Sequence, residues 1–254
     1  MVKKLKKLIN NMVKIFGYEI IEFDKEGIPK DITDDKFRQI YNLCKEYSMC
    51  SVIPMFALYK SIEYIVQNNI EGDFVECGVY KGGSAMLMAH TLQYFNQTSK
   101  KIYLYDTFEG MASPTKRDIS INGKHASELI NKGAKIANQV LCFSPIEEVR
   151  KNMESTAYPM DNLIFVKGKV EDTIPGIAPN KIALLRLDTD WYESTKHELQ
   201  YLYPILSHDG VLIIDDYGYW HGAREAVDEY FKNNSANLFL NRIDSTVRVC
   251  VKNV

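Results

Sequence analysis

Two short stretches concentrate carboxylates: Leu187-Asp188-Thr189-Asp190-Trp191-Tyr192-Glu193-Ser194-Thr195 and Ile213-Ile214-Asp215-Asp216-Tyr217-Gly218. Each follows an apolar run that suits a buried β-strand, and paired strands lie about 4.8 Å apart. If the two are neighbours, Asp188, Asp190, Asp215 and Asp216 share one small volume, where like charges repel. A bound cation relieves that repulsion. The donors are all hard oxygens, with no His or Cys in the same motifs, which favours magnesium, manganese or calcium over zinc. One or two of these acids could instead cap the helices that start near Ser194 and Gly222, but four caps are too many. A divalent ion holding two vicinal hydroxyls would lower the pKa of the one to be modified. A carboxylate beside it would take the proton as general base.

A different motif lies upstream, at Val75-Glu76-Cys77-Gly78-Val79-Tyr80-Lys81-Gly82-Gly83-Ser84. A dinucleotide turn needs GxGxxG, and Tyr80 occupies the second glycine position. A triphosphate loop needs GxxxxGK[ST]; Gly78 and Gly83 have that spacing, but Ser84 stands where the lysine belongs. What remains is a strand ending in an acid, followed by glycines that let backbone approach a ligand closely. Class I methyltransferases hold the amino-acid end of S-adenosylmethionine in this way. Backbone near Gly78 then meets the methionine moiety, and Glu76 holds its ammonium directly or through water. A tight strand-to-helix turn without a ligand is the plain alternative. Asp106, in Tyr105-Asp106-Thr107-Phe108, ends the next strand at a distance that suits a ribose diol. Taken alone it could cap a turn or serve another adenosine ligand.

The elements that must position these groups follow from periodicity. Residues 1–71 read as a helical N-terminal extension, with helices over Asp31–Met49 and Pro54–Gln67. From Gly72 to the end, short apolar runs alternate with amphipathic segments, the signature of βαβ winding. Strands are expected at Phe74–Cys77, Ile102–Tyr105, Leu163–Val166, Ile182–Leu187 and Val211–Ile214, with two more near Leu238–Leu240 and Val247–Val251. Helices are expected at Gly83–Phe95, Ser194–Leu206 and Ala223–Lys232. The fold class is α/β, a doubly wound, mostly parallel seven-stranded sheet, and every motif above falls at a strand's carboxyl end, where such sheets bind ligands. Ser113–Gly133 reads as a mobile, irregular excursion that forms the lid over the acceptor.

Composition excludes several classes. In 254 residues, 46% are hydrophobic, which suits a buried core. Lys+Arg 31 against Asp+Glu 33 argues against a general nucleic-acid binder. Cys44, Cys50, Cys77, Cys142 and Cys250 form no CxxC pair, so neither a structural zinc site nor a disulfide framework is expected. No apolar run approaches the roughly 18 residues of a membrane span, and a cytoplasmic protein is the expectation. Met1–Ile20 carries Lys3, Lys4, Lys6 and Lys7 but is interrupted by Asn10, Asn11 and Lys14, unlike a signal peptide. It reads as a helix packed on its own domain or on a sister subunit of a homodimer, rather than on an anionic membrane.

Taken together, the stretches GDFVECGVYKGGSA (72–85), LYDTFEGM (104–111), VKGKVEDTIP (166–175), LRLDTDWYESTKHELQYLYP (185–204) and GVLIIDDYGYWHGAREAVDEYF (210–231) resemble the macrocin-type sugar O-methyltransferases. Met49 is similar to the methionine of a segment that precedes the core in that family. The resemblance implies a class I fold using S-adenosylmethionine and a magnesium-dependent transfer to a sugar hydroxyl. By position it implies Asp188, Asp215 and Asp216 as metal ligands, Asp190 as general base and Asp106 as the ribose acid. It also implies cofactor contacts from Glu76, Gly78, Tyr80, Gly82, Ser84, Thr107, Phe108, Gly168 and Asp188, with Glu171 and Asp172 at the adenine end. The acceptor stays open among free, nucleotide-linked, natural-product and glycan-attached sugars. A catechol-type O-methyltransferase and a non-catalytic S-adenosylmethionine-binding protein are the rival functions.

Overall fold

The first strand, β1 (Asp73–Cys77), lies inside the sheet between two neighbours, with Phe74, Val75, Glu76 and Cys77 all buried. The computed structural model describes residues 9, 12–16, 22–131, 140–235 and 238–253. Lys3, Lys4, Lys6 and Lys7, and the last two residues of the 113–133 stretch, lie outside the described residues. The chain divides into two compact units, residues 1–38 and 39–254. In the first, the Asp24 carboxylate accepts from the backbone of Glu26 (2.8 Å) and Ile28 (3.0 Å) and pairs with Arg38.

Helix α1 (Asp35–Cys44) begins later than Asp31, because Asp34 supplies its cap by accepting from the Phe37 amide at 2.9 Å. It gives way to a 3-10 turn over Lys45–Tyr47 and then to extended chain at Ser48. Helix α2 (Val52–Gln67) carries Pro54 in its first turn, where the missing N–H costs nothing.

The second unit is a seven-stranded sheet in the order β3-β2-β1-β4-β5-β7-β6. Besides β1 it comprises β2 (Ile102–Asp106), β3 (Leu163–Lys167), β4 (Ile182–Leu187), β5 (Leu206–Ile214), β6 (Asn241–Arg242) and β7 (Arg248–Val251). The first five strands in sequence run parallel, and β7 is antiparallel to both β5 and β6. The winding reverses between β1 and β4, which creates a crevice at their carboxyl ends.

Helices α3 (Gly83–Tyr94), α4 (Ala126–Ile130), α5 (Ile146–Glu154), α6 (Val170–Thr173), α7 (Tyr192–Leu202) and α8 (His221–Asn233) complete the unit. Alternation sorts the strands: Val75, Cys77, Leu185, Leu187, Leu212 and Ile214 pack with Leu199 and Leu202 of α7 and Val227 of α8. Glu76 and Arg186 lie on the opposite face.

Three expectations need correction. Helix α7 stops at Leu202, because Pro204 forces a 3-10 turn and Leu206 already pairs with Ile182 at the start of a longer β5. Leu238–Leu240 is not a strand. Pairing starts at Asn241 because the Asp244 side chain accepts from the amides of Thr246 and Val247 (2.8 Å each), fixing the turn and hence the register. Residues 113–131 are a folded insert rather than a loose excursion. Ile119 bridges to His125 and Ser120 to Trp220, and the buried Asp118 accepts from the amide of Tyr192 at 2.9 Å, capping α7.

Candidate active site

The turn after β1 is set by close backbone approach. Gly78 has φ +87°, its amide donates to the Tyr105 carbonyl at 2.9 Å, and a Cβ there would lie 1.9 Å from the Asp188 carbonyl oxygen. Only glycine fits. The Asp188 amide donates in turn to the Cys77 carbonyl at 2.8 Å, so the ends of β1 and β4 are pinned to each other. Asp106, at the end of β2, accepts from Val79 (2.8 Å) and Tyr80 (3.2 Å) through Oδ2 and from Phe108 (2.7 Å) through Oδ1. It holds the glycine turn in place from the neighbouring strand.

Beyond β4 and β5 the acids converge. Asp188, Asp215 and Asp216 each offer a carboxylate oxygen, and these oxygens lie within 4.8 Å of one another. Asp190 stands beside them in a left-handed conformation (φ +65°), in a three-residue turn closed by the Trp191 amide on the Thr189 carbonyl at 2.7 Å. Thr189 Oγ1 donates to Glu198 Oε1 at 2.8 Å, and Glu198 is fully buried in α7.

None of the four aspartates caps α7 through its side chain; Asp118 does that from the insert. Burial pushes Asp188 and Asp216 well above the usual carboxylate range, with Arg186 pulling Asp188 back down. Burial also pushes Asp190 up to about 7, against hydrogen bonding with Asp216 and Trp220. Asp216 Oδ2 is buried with no hydrogen-bond partner. An orphaned oxygen in a set of hard donors fits a divalent cation.

Sequence reasoning missed the protein's own cation here. Arg186, buried in β4, donates from Nη1 to Glu76 Oε1 (2.8 Å) and Asp188 Oδ2 (2.7 Å), and from Nη2 to Asp215 Oδ2 (2.6 Å). The Cys50 thiol lies 3.1 Å from Nη2 and 3.5 Å from Asp215 Oδ2. The signal was present as an arginine inside the apolar run Ile182-Ala183-Leu184-Leu185-Arg186-Leu187, two residues before Asp188.

A cavity of about 640 Å³ opens on these groups. Gly78, Tyr80, Ser84, Asp106, Asp188, Asp190, Asp215 and Asp216 line it, and so does Met49. A smaller one of about 50 Å³ is lined by Gly78, Asp106, Thr107, Gly168 and Glu171, with Thr189 and Trp191. Four other sequence-predicted residues line neither. Glu76 is fully buried against Arg186; Gly82 is the N-cap of α3; Phe108 is buried against Phe165; Asp172 lies in the exposed first turn of α6. Unforeseen walls come from Leu129 and Val140 and from the turn Asp244-Ser245-Thr246. That turn packs so closely on Gly218 that a Cβ there would lie 1.8 Å from the Ser245 carbonyl oxygen.

A sequence model of the macrocin O-methyltransferases (TylF) matches residues 30–251. The chain belongs to the macrocin O-methyltransferase family. It is therefore an O-methyltransferase, and its sheet is the class I methyltransferase fold. Within this family it is 33% identical over 187 residues to the 8-demethyl-8-(2,3-dimethoxy-alpha-L-rhamnosyl)-tetracenomycin-C 4'-O-methyltransferase of Streptomyces olivaceus, covering 73% of this chain and 67% of that protein. It is 32% identical over 184 residues to the demethyldecarbamoylnovobiocin O-methyltransferase of Streptomyces niveus, covering 72% and 67%. Among solved structures, the O-methyltransferase NovP superposes with a TM-score of 0.70 at 29% identity, covering 82% of this chain and 83% of that one. No helix among the described residues is long and apolar enough to cross a membrane.

Proposed function

We infer that this O-methyltransferase moves a methyl group from S-adenosylmethionine to a hydroxyl of a sugar, with a divalent cation at the acid cluster. The observation that carries this reading is the meeting, in one cavity, of the Gly78 turn with Asp188, Asp190, Asp215 and Asp216. Relatives named for rhamnosyl-tetracenomycin and decarbamoylnovobiocin support a natural-product glycoside as the acceptor.

Asp188, Asp215 and Asp216 would hold the ion, because their oxygens converge and Asp216 Oδ2 lacks a partner. When bound, magnesium or manganese would lower the pKa of a chelated hydroxyl and fix its position. The cofactor supplies an electrophilic methyl. The chain's own part begins with the backbone around Gly78, which would meet the methionine end, while Asp106, which lines both cavities, would take the ribose diol. Asp190 would take the hydroxyl proton as the acceptor oxygen bonds to the methyl carbon and the sulfonium S–C bond breaks, with S-adenosylhomocysteine as the leaving group.

The test is incubation of the purified chain with S-adenosylmethionine, magnesium and a panel of glycosides, nucleotide sugars and catechols, reading S-adenosylhomocysteine release and the methylated product by mass spectrometry. A glycoside that gains one methyl, with turnover stopped by EDTA and restored by magnesium, is the expected result. Preference for catechols overturns the acceptor class, and full activity in EDTA overturns the cation.

A further inference from the structure

Arg186 lies opposite Glu76 in the β1–β4 register, with its side chain 4% exposed. Its guanidinium takes one oxygen from each of three acids, Glu76 Oε1, Asp188 Oδ2 and Asp215 Oδ2, and its Nη2 also touches the Cys50 sulfur. The second oxygens stay out of this fork. Glu76 Oε2 is buried without a hydrogen-bond partner, and Asp188 and Asp215 both line the larger cavity.

We propose that Arg186 is a positioning residue and an internal counter-ion: it orders the acid cluster before any cation arrives and sets how tightly that cluster holds one. The inference rests on the cation reading of Asp188, Asp215 and Asp216 given above. Buried carboxylates without a partner are costly, so a built-in positive charge offsets part of that cost and holds them in place in the free protein. A planar guanidinium reaches the three acids from two separated nitrogens in a fixed fork, whereas an ammonium offers its donors from a single point.

The same charge stands beside two of the three proposed ligands and weakens the negative potential that an incoming ion meets. Affinity at oxygen-donor sites follows ligand charge. Arg186 therefore yields a site that is organised in advance yet exchanges its ion readily. A residue that merely supported the fold would act in the opposite direction, since its removal would loosen the ligands and weaken binding.

The test measures Mn²⁺ affinity of the full chain by calorimetry, without cofactor, for the native protein and three variants. Arg186→Met removes the charge at similar length, and Mn²⁺ is expected to bind at least about tenfold tighter. Arg186→Lys keeps the charge but loses the fork, and stays within about threefold of the native protein. The double variant Arg186→Met/Glu76→Gln removes the buried pair together; it serves if the single variant does not fold, and the same direction is expected. Equal or weaker Mn²⁺ binding in the charge-removed variants overturns the role of Arg186. Native protein that takes up no Mn²⁺ at millimolar concentration overturns the cation reading and this inference with it, whereas native binding with unchanged variants overturns this inference alone.

Discussion

Asp190 occupies a conformation that side chains rarely adopt, with φ at +65°. Such strain persists where surrounding structure enforces it, and here it aims a carboxylate into the cavity beside three others. Asp190→Asn keeps the shape and removes the basic oxygen. Turnover on the best acceptor of the panel should fall about 10²- to 10⁴-fold. Affinity for S-adenosylhomocysteine, measured by calorimetry, should stay within about twofold.

Glu76 makes a separate prediction. Burial raises its pKa from 4.5 to about 7, with Arg186 opposing the rise. An acid whose folded value is raised favours the folded state most at low pH. That contribution is whole below about 4.5 and is lost as pH climbs through about 7. Thermal unfolding in EDTA should show a decline across that window, and Glu76→Gln should make it shallower, with Asp190 still contributing.

The β4–α7 connection works as a unit. Glu198 in α7 accepts from Thr189, and the Thr189 carbonyl receives both the Trp191 amide and, at 3.3 Å, the Ser194 hydroxyl. Burial pushes Glu198 well above the ordinary carboxylate range, while its hydrogen bond from Thr189 pulls it back down. Glu198→Ala leaves a buried hydroxyl unpaired beside a void and should cost about 2–4 kcal/mol in denaturant unfolding. Glu198→Gln keeps an acceptor and should cost less than about 1 kcal/mol.

At this scale the sequence was informative where periodicity and end chemistry agree. The five parallel strands and the positions of Asp188 and Asp215 at their ends were legible from apolar runs that finish in acids. The helix starting at Gly83 was legible from the glycine turn. Arg186 was not, because a lone cation inside an apolar run looks like an exception until its partners on β1 and β5 are seen. Asp118, Leu129 and the Asp244 turn were illegible for the same reason: each reaches the site through tertiary packing, and spacing along the chain carries no trace of it. Leu238–Leu240 misled because apolar composition without a pairing partner does not make a strand.

Across the whole molecule, ligand binding and stability are joined at the reversal point between β1 and β4. A ligand spanning the Gly78 turn and Asp106 touches the ends of β1 and β2, positions 28 residues apart in sequence yet adjacent in the sheet. S-adenosylhomocysteine at about 100 times its dissociation constant should stabilise the fold by about 2.7 kcal/mol, read as a shift in the unfolding transition. A chain that binds the ligand elsewhere, on a surface loop, would gain the same energy, so Tyr80→Ala, which removes a cavity-lining side chain without forcing a Cβ onto Asp188, provides the contrast. In that variant the shift should shrink.

The turn at Asp244–Thr246 borders the cavity but takes its shape from its own carboxylate and from the bare backbone at Gly218. Nothing in the acid cluster depends on which side chains Ser245 and Thr246 present. A hairpin tip of this kind is an interchangeable part. Replacing the Ser245 and Thr246 side chains should therefore change which acceptors are methylated while affinity for S-adenosylhomocysteine stays constant.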